Sequence, residues 1–117
     1  MQDPDAFAED WIDAFNSHDL NRILSHYAED IELSSPRARQ ITGDPSGKVR
    51  GKSALRAYFG QALERLPDLR FTLDKVYPGA DSVVLRIRAS DGREGAELMV
   101  FGADGLVREV RAHWTAD

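Results

Sequence analysis

Three turn signals, Pro78-Gly79, Asp91-Gly92 and Asp104-Gly105, cut the C-terminal part of the chain into a succession of strands. Proline presets one corner of a turn and glycine accepts the positive φ that other residues resist, so each dipeptide reverses the chain. Leu69 to Tyr77, Ser82 to Ser90, Ala96 to Phe101 and Leu106 to Trp114 read as the strands so joined. Four strands with tight reversals form an antiparallel sheet. A sheet needs a cover for one face, and the material for it lies upstream.

Upstream the apolar residues recur at helical spacing. Asp3-Pro4 opens a helix, the carboxylate capping and the proline fitting the first turn. Phe7, Trp11, Ala14 and Phe15 form its apolar stripe, and Asn16-Ser17-His18 ends it. Asp19 caps a short second helix with Leu20, Ile23, Leu24 and Tyr27 on its apolar face, and Ile31 and Leu33 alternate with Glu32 as a brief strand. Residues 34–50, broken by Pro36, Gly43, Pro45 and Gly47, read as one long irregular segment: a lid, a binding loop or disorder. A third helix follows Gly51, turns Leu55, Tyr58, Phe59, Ala62, Leu63 and Leu66 inward, and stops at Pro67. Helices first and strands after predict one α+β domain over residues 1–117, a curved antiparallel sheet wrapped around three helices as a cone with an internal pocket.

Composition removes several classes of function. A net charge of −5 argues against a nucleic-acid or anionic-membrane partner. No cysteine is present, which excludes disulfides, thiolate catalysis and cysteine metal sites. No apolar run reaches the ~20 residues that span a bilayer, and the acidic start lacks a secretory pattern, so a cytoplasmic location is expected. His18, His26 and His113 have no metal-ligand spacing, and no dinucleotide or phosphate-cradling motif appears. No metal and no cofactor are expected.

One carboxylate stands among the apolar residues of the last hairpin. With two-residue turns at both Asp-Gly pairs, Arg86 faces Glu97, Val84 faces Met99, Arg88 faces Gly95, and Glu97 faces Ala112. One sheet face then carries Val84, Arg86, Arg88, Glu97, Met99, Phe101, Val110, Ala112 and Trp114. The other carries Val83, Leu85, Ile87, Ala96, Leu98, Val100 and Val107. A three-residue turn at 103–105 would swap the faces of the last strand. Glu97 and Arg86 are therefore expected as an ion pair, either structural or orienting a polar ligand inside the cone. Trp11, Phe15, Tyr27, Tyr58, Phe59 and Trp114 either line the pocket or fill a plain core. The apolar face with Leu85, Ile87, Leu98 and Val100 calls for a homodimer through the sheet. Arg37, Arg39, Lys48 and Arg50 against Asp44 make the long segment basic, able to gather an anionic substrate, cover the mouth or simply stay solvated.

Trp11…Phe15-Asn16-Ser17-His18-Asp19-Leu20, Tyr27-Ala28-Glu29-Asp30-Ile31, Val49-Arg50-Gly51-Lys52-Ser53-Ala54-Leu55 and Phe101…Asp104-Gly105-Leu106-Val107 with Trp114 span nearly the whole chain. In this order they resemble the nuclear transport factor 2-like superfamily, of SnoaL-like or ketosteroid-isomerase-like type. The resemblance implies a cystatin-like cone. It also implies a small-molecule site, since the fold hosts isomerases, dehydratases, epoxide hydrolases, cyclases and non-enzymatic binding domains. By resemblance the aspartate base of ketosteroid isomerases falls on Ser35, their oxyanion tyrosine on Trp11 and their protonated aspartic acid on Glu97. The arginine of limonene-epoxide-hydrolase-like enzymes falls on Arg88, but their aspartates fall near Ser90 and on Ala112, where the cyclase aspartate is missing as well. The expected function is binding of a small hydrophobic molecule in a mostly apolar pocket, with lyase or isomerase chemistry through Glu97 and Arg86. Trp11, Phe15, Tyr27, Tyr58, Arg88, Met99, Phe101 and Trp114 would contact the substrate. The alternative is a non-catalytic ligand-binding or dimerisation domain.

Overall fold

The structure is a computed structural model that describes residues 3–116; Met1 and Gln2 of the acidic start, and Asp117, lie outside the described residues. Helix α1 (Pro4–Ser17) begins where expected. Asp3 Oδ1 accepts from the backbone N–H groups of Asp5 (2.9 Å) and Ala6 (3.2 Å), satisfying two donors that the first turn leaves open. It ends at His18, whose φ of 57° is the left-handed turn that breaks the ladder. Asp19 caps the short α2 (Leu20–Leu24).

Tyr27 does not extend α2. It is the first residue of β1 (Tyr27–Ser34), a longer strand than the alternation around Ile31 suggests. The segment 34–50 is not irregular either, since it contains α3 (Pro36–Thr42) and β2 (Lys48–Arg50). Its breakers serve as the ends of a helix. Ser35 caps α3 through Ala38 N–H at 2.9 Å, Pro36 takes the first turn, and Gly43 closes it at φ 77°. Helix α4 (Lys52–Arg65) follows, then β3 (Phe71–Pro78), β4 (Ser82–Ala89), β5 (Glu94–Phe101) and β6 (Val107–Trp114). The described residues thus hold four helices rather than three.

The strands make one curved sheet in the order β2-β1-β6-β5-β4-β3, open at both edges. All neighbours are antiparallel except β1 and β6, which run parallel. Helices α1 and α4 pack on its concave face, α1 against β3 and α4 against β1.

The two Asp-Gly hairpins decide which side chains face those helices. At the first, Gly92 N–H donates to Ala89 O, and Ala89 N–H donates to Arg93 O. Ser90-Asp91-Gly92 is therefore a three-residue loop, with Gly92 in the positive-φ position (93°) after the turn. The pairing shifts by one residue from the expected register, so Glu97 lies opposite Leu85, and Arg86 opposite Ala96. A shift of one exchanges the faces of the whole strand. Val83, Leu85 and Ile87 go into the core, while Arg86 and Arg88 go outside. At the second hairpin Ala103-Asp104-Gly105 is again a three-residue loop, closed by Gly102 N–H to Leu106 O. There a bulge between Val100 and Phe101 absorbs the extra residue, so Glu97 faces Ala112 and Met99 faces Val110 as expected. The bulge pairs Phe101 with Val107 instead of Arg108, and Val107 is buried.

The interior has two ends. Phe7, Leu24, Met99, Phe101 and Val107 fill one completely, with Phe7 set edge-on to Phe101 at 4.9 Å between ring centres. The other end, beneath α4 and the far part of β5 and β6, is hollow.

Candidate functional site

The hollow end encloses a cavity of about 70 Å³. Phe15 from α1, Phe59 and Leu63 from α4, Phe71 from β3 and Trp114 from β6 supply its apolar wall. Two local devices hold the wall in place. The Asn16 side chain both donates to Phe71 O (3.0 Å) and accepts from Phe71 N–H (2.7 Å), standing in for a missing strand neighbour. His18 Nε2 lies 2.7 Å from Leu69 O, so the end of α1 is tied to the start of β3. At the opposite wall Gly95 sits under Trp114. A methyl group there would approach the indole ring to 2.7 Å, so only glycine lets the ring lie flat over β5.

The polar lining is small and convergent. Glu97 projects inward from β5, and its neighbour across the sheet, Ala112, leaves space above the carboxyl. The side chain is 7% exposed and has no hydrogen bond or ion pair among the described residues. Burial without compensation disfavours the charged form and lifts its pKa from 4.5 to about 7. Tyr27 accepts a hydrogen bond from Trp11 Nε1 at 2.9 Å, which leaves its own O–H to donate. Burial first, and the charge of Glu97 second, push the Tyr27 hydroxyl well above its usual range. Tyr58, also raised by burial, lies 3.2 Å from Ser35 Oγ. Arg37 from α3 and Arg93 from β5's approach complete the set. Arg93 is engaged with Asp91 at 3.1 Å and lies over the Trp114 ring.

Of the residues expected at the site, Glu97, Phe15, Tyr27, Tyr58 and Trp114 meet around this cavity. Trp11 stands behind it, its N–H spent on Tyr27. Met99 and Phe101 belong to the filled end. Arg86 is exposed on the outer face, and so is Arg88, whose Nε contacts both Asp74 carboxylate oxygens at 2.9 and 3.0 Å. The expected Arg86–Glu97 pair is absent because the first hairpin's loop has three residues. Ser35, where the resemblance places a base, uses its hydroxyl to cap α3 and to meet Tyr58. Leu63, Leu69, Phe71, Arg37 and Arg93 were not singled out as site residues by the sequence. Arg37 carried a signal, as one of the basic residues after Pro36. Among the described residues no cluster of three His, Asp or Glu side chains could hold a metal ion.

A family model described as a SnoaL-like domain matches residues 8–115. The chain belongs to the SnoaL-like family. A SnoaL-like protein of unknown function from Burkholderia thailandensis is 44% identical, with a TM-score of 0.93 over 97% of this chain and 94% of that one. An NTF2-like protein of unknown function from Cytophaga hutchinsonii is 10% identical at a TM-score of 0.75, covering 98% and 92% of the two chains. A Kribbella flavida protein provisionally named a ketosteroid isomerase is 19% identical at 0.74, covering 96% and 77%. The last two share the fold. No curated protein matches the chain at a significant level. The resemblance carried by the sequence motifs and the family found by comparison are the same. No helix of this SnoaL-like chain is long and apolar enough, among the described residues, to cross a membrane.

Proposed function

We propose that this SnoaL-like domain binds a small, largely apolar molecule in the cavity beneath α4 and moves a proton on it through Glu97. The supporting observation is the carboxyl itself: buried, without a partner among the described residues and directed into a cavity, where burial pushes its pKa up to about 7. A structural acid would be neutralised by a cation or hydrogen bonds, because an unpaired buried charge is costly. A group poised near neutral pH can both give and take a proton, which is what general acid–base catalysis requires. Tyr27 and Tyr58 present hydroxyl donors on the same cavity, suited to polarising a carbonyl or hydroxyl of the ligand. These parts fit isomerase or lyase chemistry, in which a proton leaves or joins a carbon next to a polarised group.

The test is exchange of carbon-bound hydrogen. Small cyclic and branched ketones are incubated with the protein in deuterated buffer and followed by NMR. The proposal expects exchange next to the carbonyl, reduced ~10²-fold or more in Glu97→Gln. Ligands that bind and stabilise the protein without any exchange above background would establish the second reading, a non-catalytic binding domain. That reading is favoured by Ser35, which offers no base where the ketosteroid isomerases carry one.

The outer sheet face supports a further part of the proposal, association with a second copy. Val84, Leu98 and Val100 form a half-buried apolar strip there, beside Tyr77 at 45% exposure. Leu85 and Ile87, expected in that face, are in the core instead. Sedimentation should show a dimer that Leu98→Lys dissociates; a monomer at all concentrations would remove this part.

A further inference from the structure

Arg37 differs from every other arginine among the described residues. Arg22, Arg88, Arg93 and Arg111 are paired with carboxylates. Arg50 lies 3.9 Å from Glu32, which Lys48 also meets. Arg56 and Arg70 donate to neighbouring polar groups, and Arg39, Arg65, Arg86 and Arg108 are exposed to water. Arg37 alone is both sheltered and without a hydrogen bond or ion pair, and it lines the cavity. Tyr58 lines the same cavity.

The position of Arg37 is dictated locally. Ser35 caps α3 and hydrogen-bonds toward Tyr58, which fixes the first turn of the helix against α4. Arg37 sits in that turn, two residues from the cap, and so projects from a held backbone rather than a loose loop. A partly desolvated guanidinium with no partner is an incomplete arrangement, because its five donors prefer a carboxylate in bidentate contact.

We propose that the ligand is a small monocarboxylate whose carboxylate is received by Arg37 and whose compact apolar body enters the space between Phe59, Phe71 and Trp114. This rests on the reading of the cavity as a binding site and gives it a substrate class. Size sharpens the class. The cavity of about 70 Å³ is about half of the ~150 Å³ engineered void that admits benzene. A branched body of roughly three or four carbons therefore suits it, and a benzene-sized ring or a fused ring system does not. Glu97 lies on the same cavity and would meet the body of the ligand as the neutral acid, the form that does not repel an anion.

The experiment uses 3-methylbutanoate and 2-methylpropanoate as probes, each beside its neutral amide, titrated into the labelled full chain at pH 6 and read by NMR shifts. The proposal expects both carboxylates to bind at least tenfold more tightly than their amides, with the largest shifts at cavity residues. Arg37→Gln should erase that preference, and a spectrum that keeps the parent's dispersion away from the cavity shows that the variant is folded. Equal binding of acid and amide would overturn the carboxylate assignment and leave the binding cavity standing. A preference that survives Arg37→Gln would overturn the role of Arg37. No shift at any cavity residue with any of the four probes would overturn both this inference and the function on which it rests.

Discussion

The two ends of the interior are built from the same kinds of residue and come out differently. At the Phe7 end, aromatic rings meet edge to face, Phe7 against Phe101 at an interplanar angle of 88°, and Met99 is wholly buried beside them. At the Trp114 end Phe15 also stands edge-on to Phe59, at 83°, but three further rings lie in layers. Trp11 stacks on Phe71 at 11° and Phe71 on Trp114 at 27°, both at 5.7 Å. Edge-to-face pairs occur at both ends, so ring geometry alone does not separate them, although the Trp11–Phe71–Trp114 layer makes one flat wall. What keeps the space beside that wall open is a pair of small inward residues, Ala112 across the sheet from Glu97 and Ala62 on α4. The hollow comes from missing side-chain volume beside an acid, and the difference between the ends can be tested one residue at a time.

The largest effect is expected at the filled end. Phe7→Ala should cost ~3–5 kcal/mol in urea unfolding, since the void cannot collapse around an interlocked ring. Trp114→Ala, at the half-buried wall, should cost less than half as much. Equal losses would mean that the two ends are packed alike.

Next comes the pH dependence carried by Glu97. Between 4.5 and about 7 the folded chain retains the Glu97 proton that the unfolded chain has released. Stability therefore falls as pH rises through that window, by roughly 3 kcal/mol in all, and the deficit is fully present above it. Glu97→Gln should flatten this part of the profile and make the protein more stable than the parent at pH 8. Urea melts at pH 5, 6, 7 and 8 measure both, and parallel profiles for the two proteins would break the argument.

A smaller effect belongs to the boundary between the ends, where Trp11 donates to Tyr27. Tyr27→Phe leaves the buried indole N–H without an acceptor and should cost ~1–3 kcal/mol, most of it desolvation. An unchanged melting midpoint would mean that Trp11 finds another partner. The smallest effect is a null result. Arg86→Gln should leave the Glu97 titration where it is, because the outer face of β4 is separated from the cavity by the sheet. A shift in that titration would restore the Arg86–Glu97 pair.

Much of this architecture is legible in the residues. Asp3-Pro4, the aromatic stripe of α1 and the turn dipeptides locate the first helix, α4 and the last four strands. Alternation places Glu97, Met99 and Phe101 on one face of β5, whereas the face of β6 depends on the length of the turn before it. Register is not legible in the turn dipeptides. An Asp-Gly pair suits both a two-residue loop and the end of a three-residue loop, and the two differ by one residue in pairing. At Asp91-Gly92 the longer loop turned β4 over and carried Arg86 and Arg88 away from the acid. At Asp104-Gly105 the same loop left the faces of Glu97, Ala112 and Trp114 intact, because a bulge at Phe101 compensates. Residues 34–50 misled for a related reason. Ser35, Pro36 and Gly43 break structure in a list of propensities, yet they are also the cap, first turn and stop of a short helix. Arg37 could not be told from its basic neighbours until that helix placed it on the cavity. Glu97 was visible from the outset, as a carboxylate on an apolar face. Its solitude was not, since that depends on which strand edge lies opposite.

The central claim is that Glu97 stands unpaired in the hollow end. Its titration in the free protein, followed by carbon-13 NMR of the side-chain carboxyl and assigned with Glu97→Gln, tests this most directly. The account predicts a midpoint near 7. A midpoint at the ordinary 4.5 would mean that water or a cation already attends the carboxyl, and would contradict it.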